Sequence, residues 1–168
     1  MSQTTYNLAP AIGVVGMPET PLPADGVVSY PAGEVINPGR LCEVSAGLLR
    51  QCQSTGATVG AKIVGVSMWL NYREQPLPAG AVTWVVGDLV PCVRKGRVFA
   101  AWNGTTQVEL AVPQVNHQSV TATNRGVFTD AASSAVADSE IAPAPSPGVN
   151  LIRDTASTTM CLVELNLS

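Results

Sequence analysis

One histidine, four cysteines and a thin scatter of carboxylates are the side chains of this 168-residue sequence with the types to do chemistry. His117 stands between Asn116 and Gln118, with Ser119 close by, and would be the base of any nucleophilic triad. A serine nucleophile on a strand-to-helix elbow needs G-x-S-x-G, which the chain lacks. His117 is therefore read as a polar loop or strand-edge residue that can titrate at an interface. The carboxylates form no D-x-D-x-D loop, and only Asp138 and Glu140 make a close pair, which argues against a calcium site or a glycosidase. No glycine-rich stretch carries the lysine of a phosphate loop. The expectation is a protein without catalytic residues, metal or cofactor.

Cys42, Cys52, Cys92 and Cys161 contain no C-x-x-C spacing, so neither a zinc knuckle nor a redox motif is in view. They are expected as small buried hydrophobes. Cys42 and Cys52 flank a turn at Ala46-Gly47. A two-residue loop there puts them on opposite faces and a three-residue loop puts them on one, and the pattern leaves both open.

Two groups have the composition of a binding surface. Trp69, Tyr72 and Arg73 follow a strand-like run and precede Pro76, and these three residue types are enriched at interface hot spots. Trp69 has a second reading, as a plug for one end of the β body. Trp84 and Trp102 lie within strand-like runs and are assigned to packing. Arg94, Lys95 and Arg97 cluster at a turn, where they would meet an acidic patch of a partner or be solvated.

The elements that must position these residues are short. Charged residues are 12% of the chain, about half the usual share, while hydrophobic residues are 46%. With 15 Gly and 13 Pro the chain is too punctuated to be helical. Nine Lys plus Arg against twelve Asp plus Glu, a net charge of −3, argue against a general nucleic-acid binder. A low-charge apolar surface points instead to cover by other protein. No basic region precedes the early apolar run, and no run reaches the length of a membrane helix. The expectation is a protein made in the cytoplasm, with no membrane contact.

Residues 1–25, with Pro10, Pro18, Pro21 and Pro23, read as an extended N-terminal arm. Residues 26–168 read as one β domain. Strands are expected at 41–45 and 48–52 as a hairpin, at 59–68 with a bulge or bend at its glycines, and at 82–86, 89–93, 97–102 and 107–112. Weaker ones are expected at 119–122, 127–129 and 151–154, and a well-alternating one at 160–167. A three-residue loop at Arg94-Lys95-Gly96 would make 89–102 a second hairpin. The Ala-rich 131–141 stretch allows a helical turn, and the Pro-rich connector at 142–148 reads as extended. Pro31-Ala32-Gly33-Glu34-Val35 is echoed by Pro78-Ala79-Gly80-Ala81-Val82, with Gly39 and Gly47 echoed by Gly87 and Gly96, so two similar β units are expected. The fold class is all-β, a small β-barrel or sandwich of about ten short strands.

The stretch from Pro31 to Val44, the strand from Val59 to Ser67, the run from Gly87 to Val98 and the closing Leu162-Val163-Glu164-Leu165 together resemble the structural cement, or capsid-decorating, proteins of tailed bacteriophages. The resemblance spans residues 25–112 plus the tail and rests on β-turn patterns. It implies a β-barrel-like homo-oligomer, a dimer or trimer, bound outside the virion capsid and bridging neighbouring major capsid protein subunits. It brings no active-site residues. The contact residues expected are Trp69, Tyr72, Arg73, Arg94, Lys95 and Arg97, with the N-terminal arm. The other readings are a different virion component (tail, fibre or head-completion protein) and a glycan-binding β-sandwich.

Overall fold

Alternating apolar residues between Gly and Pro turns fold here as short strands. The computed structural model describes residues 15–19, 21–53, 63–69, 83–108, 110–116, 124–130, 141–143, 148–153 and 159–167, with the backbone alone at 141–143 and 153. Its strands are β1 (Val27–Pro31), β2 (Leu41–Ser45), β3 (Leu48–Gln51), β4 (Ile63–Ser67), β5 (Leu89–Val93) and β6 (Lys95–Ala101). They continue with β7 (Gln114–Asn116), β8 (Phe128–Thr129), β9 (Ile141–Pro143), β10 (Val149–Arg153) and β11 (Met160–Asn166). No helix lies among the described residues, and the sheets are antiparallel in the orders β1-β5-β4-β2-β3, β10-β11-β6 and β8-β7-β9.

The five-stranded sheet is buried on both faces, and its alternation shows why. Leu41, Val66 and Val93 point into a larger core with Val98, Ala100 and Trp102 of the β6 segment, Val163 and Leu165 of β11, and Val115 and Phe128 of the third sheet. Their neighbours Cys42, Leu49, Val90 and Cys92 point the other way, into a smaller core capped by Ile36 and Trp84. Period-two side-chain alternation makes this double use possible. A single parallel bridge, Ala32 to Leu49, draws the two edge strands together at one end. The sheet curls without closing, so the architecture is a sandwich of curled sheets.

The first hairpin forms as expected. Ala46 and Gly47, at φ of 51° and 78°, make a two-residue loop with both central residues left-handed. That loop settles the cysteines: Cys42 lies in the smaller core and Cys52 in the larger, on opposite faces. The bulge also forms, as a register shift between Cys42 and Glu43 opposite β4. At Gly65, with φ of 149°, an added Cβ would sit 2.2 Å from the Val93 carbonyl oxygen, so no side chain fits there.

The second hairpin does not form. Arg94 alone separates β5 from β6, and one residue cannot reverse a chain that needs two in its tightest hairpin. The chain turns a corner and leaves one sheet for the other: β5 pairs with β1 and β4, β6 with β11. Gly39, Gly47, Gly87 and Gly96, the glycines of the internal echo, all take positive φ, while residues 78–82 lie outside the described residues. The expected strand at 82–86 shrinks to a bridge between Trp84 and Ile36, and the one at 107–112 is replaced by a turn at Leu110. Residues 141–143 pair with β7, so the first two residues of the expected connector are strand, and 144–147 lie outside the described residues. Of the helical turn expected at 131–141, only Ile141 is described, and it begins β9; the rest and the strand expected at 119–122 lie outside the described residues.

Part of the N-terminal arm lies along the sheet. The Gly16 and Glu19 N–H groups donate to the Phe99 and Arg97 carbonyls at 2.6 and 3.1 Å, and Phe99 N–H donates to Met17 at 3.0 Å. Residues 16–19 therefore extend the β10-β11-β6 sheet along the open side of β6, and Val15 packs on Phe99.

Candidate interaction surface

The three cations at the corner between β5 and β6 each have a partner in the chain. Arg94 donates from Nε and Nη2 to the Leu167 carbonyl at 3.3 and 3.1 Å, while Leu167 N–H returns a bond to the Arg94 carbonyl at 3.0 Å. Lys95 pairs with Asp25, and that bond, with the charge behind it, holds the exposed Asp25 carboxyl below its ordinary range. Arg97 faces Glu164 across the β6–β11 ladder at 3.3 Å and reaches Glu19 at 3.7 Å. The corner thus ties the tail, the arm and the start of β1 together.

Trp69 is half-buried, and its N–H donates to the Gly16 carbonyl at 3.0 Å, joining the end of β4 to the arm. Tyr72 and Arg73 lie outside the described residues, as does His117. The residue that fills the end of the curled sheet is Trp84, whose indole N–H donates to the Met68 carbonyl at 3.0 Å. Trp102 packs in the larger core.

A surface the sequence reading did not single out lies at the Trp84 end. Val35, Leu48, Val85, Val86 and Leu89 are exposed there, Val86 and Leu89 at 65% each. Segment 31–36 gathers them: Pro31 is in register with Leu89, Ala32 N–H donates to the Asp88 carbonyl, Gly33 N–H to that of Leu49, and Ile36 and Trp84 exchange backbone bonds. The platform is rigid. Ser67 Oγ donates to the Asn37 carbonyl at 2.7 Å, Glu34 accepts from Gln51 N–H at 2.8 Å, and Asp88 accepts from Val85 N–H at 2.7 Å. Turns favour polar residues, so Val85-Val86 on a turn clamped by Asp88 is a turn built to present aliphatic side chains. The sequence signal available for it was two valines next to Gly87-Asp88, masked by reading 82–86 as a strand.

The cysteines carry no poised nucleophile. The hydrogen bond from Cys92 to Cys42, added to burial, pushes the Cys92 thiol well up, and burial does the same to Cys161. Arg40 is partly buried, and desolvation brings its pKa down to about 10. No group of three or more metal-ligating side chains gathers among the described residues. No helix among them is long and apolar enough to cross a membrane. What the geometry offers is a braced apolar end and a set of internally neutralised charges.

Residues 2–166 match a family model described as structural cement protein (E217 gp24/Pam3 gp6). None of the curated proteins matches the chain.

Proposed function

The chain belongs to the structural cement protein family, and on that premise we propose that it decorates the outside of a bacteriophage capsid, bridging neighbouring major capsid protein subunits so that the assembled shell is stabilised. The family itself gives a virion structural role and association with capsid proteins. The bridging is our reading, and the observation that carries it is the rigid apolar end formed by Val35, Leu48, Val85, Val86 and Leu89.

A ligand that binds an assembled state but not the separated subunits stabilises the assembly by mass action. A cement has only to bury contact area across a seam, and apolar area removed from water is worth about 25 cal/mol per Å2 before the costs of association. Prior rigidity lowers those costs, and the bonds from Ser67, Glu34 and Asp88 supply it. Self-paired cations at the corner leave few bare charges to desolvate.

The N-terminal arm, residues 1–25, is the second contact element in this reading. Its strand-like stretch at 16–19 lies along the β6 side of the sheet, and an extended segment can add to a neighbour's sheet edge. Trp69, at the junction of arm and sheet, joins Tyr72 and Arg73 as proposed contacts, and Arg94, Lys95 and Arg97 brace the corner between β5 and β6. The working form is a dimer or trimer, made in the host cytoplasm and carried on the capsid exterior, and it acts by contact without turnover. Co-sedimentation with empty, expanded heads tests the reading. Stoichiometric binding that is weakened by deleting residues 2–14 supports it, and absence of binding refutes it.

A further inference from the structure

A groove of about 200 Å3 opens on the far side of the larger core, lined by Trp102, Val108, Ala111, Pro113, Asp130 and Leu151. It is smaller than the pockets that hold whole cofactors or drug-sized ligands, and its size suits one or two side chains. Two features of its rim are unusual.

The first is Leu110. The Ala111 N–H donates to the Val108 carbonyl, closing a turn in which Leu110 takes the third position with φ of 61°. That conformation belongs to glycine or asparagine. Leu110 is nevertheless 74% exposed, and Val108 beside it is 58% exposed. Its backbone is pinned on both sides, since Leu110 N–H donates to the Leu151 carbonyl at 2.7 Å and Leu151 N–H to that of Ala111 at 2.9 Å. A strained backbone that holds an aliphatic side chain out to water gains nothing for folding. Such strain collects at sites of function.

The second is Asp130. Its Oδ2 accepts from Thr105 N–H and Oγ at 2.9 Å each and from Thr106 N–H, while Oδ1 is buried and has no partner among the described residues. Burial works against its charge, but those bonds outweigh it and keep the carboxyl ionised below its ordinary range. An oriented, ionised carboxylate therefore stands in the wall of an apolar groove.

We infer that this groove is a second docking site, which takes an extended segment of a neighbouring shell subunit carrying an apolar side chain for the groove and a lysine or arginine for Asp130. The inference rests on the cement reading and deepens it. Bridging needs two contact surfaces, and the groove on the larger core is separate from the apolar end on the smaller one. Charge complementarity selects the cationic residue, and the exposed pair Val108 and Leu110 selects the apolar one.

The test compares wild type with Leu110→Asn and Asp130→Asn for binding to empty expanded heads, with melting temperature and sedimentation velocity of each free protein. Asparagine tolerates the left-handed turn, so Leu110→Asn should melt at or above the wild-type temperature and bind heads about tenfold more weakly, the loss of one hot-spot side chain. Asp130→Asn should also bind more weakly and lose salt sensitivity. Unchanged head binding by a folded Leu110→Asn protein overturns the inference while leaving the cement reading intact. Variants that lose self-association but keep head binding assign the groove to a second copy and also overturn it. Failure of wild type itself to bind heads refutes the cement reading, and the inference with it.

Discussion

Cys42 and Cys92 lie together in the smaller core although their strands, β2 and β5, are not neighbours. β4 runs between them, and its Gly65 lies in register with Cys42 while Ser67 lies in register with Cys92. Two strand spacings separate the backbones by about 9.5 Å, more than the roughly 7 Å a disulfide can span. Both thiols should stay reduced in air-exposed protein. Thiol titration should find almost no reaction in the native state and all four cysteines after denaturation. A tryptic peptide joined through Cys42 and Cys92 would contradict this geometry.

Arg94 and Arg97 sit close in sequence, yet their replacement should have different consequences. Arg94 holds the Leu167 carbonyl with two guanidinium hydrogens, and a hydrogen bond to a charged group is worth about 1.5–3 kcal/mol. Arg97 makes exposed ion pairs, for which about 0–1 kcal/mol is the norm. Chemical denaturation should show Arg94→Ala losing roughly 1–2 kcal/mol and Arg97→Ala less than about 1 kcal/mol. Equal losses would remove the distinction between tail clamp and surface pair.

Much of the β body was legible in the sequence because alternation and turn chemistry are local. The Ala46-Gly47 hairpin, β5, β6, β11 and the bulge at Gly65 all follow from residues within a few positions of one another. The corner at Arg94 was not legible, because Gly96 suits a hairpin and a bend equally and only the pairing of β6 with distant β11 decides. Leu110 hid a turn for a related reason: a leucine in a glycine conformation leaves the apolar pattern of a strand in the sequence while the chain turns. Trp84, and not Trp69, fills the end of the curled sheet, since capping depends on the bridge to Ile36, a residue distant in sequence. The apolar end was missed because its members come from four separate stretches.

Val86 and Leu89 are exposed, so their replacement by serine should change stability by no more than about 0.5 kcal/mol. Head binding should weaken in both variants, more in the double variant than in either alone. Full retention of binding with normal folding would move the contact surface elsewhere.

Asp25 and Asp130 both have carboxyls held below the ordinary range in the folded chain. A depressed folded pKa contributes stability above the unfolded value, about 3.9 for aspartate, and that contribution is lost as pH falls through the folded value. Wild type should therefore lose melting temperature in acid below about pH 4. The double variant Asp25→Asn/Asp130→Asn should show a shallower acid slope and a lower starting point at neutral pH. Parallel slopes would show that neither carboxylate is linked to folding.

The most direct measurement is the disruption temperature of empty expanded heads, recorded by scanning calorimetry with and without saturating protein. A contact cement that prefers the assembled shell must raise that temperature, with the rise growing as free protein increases. Heads that saturate with the protein and still come apart at the unprotected temperature would contradict the account at its centre.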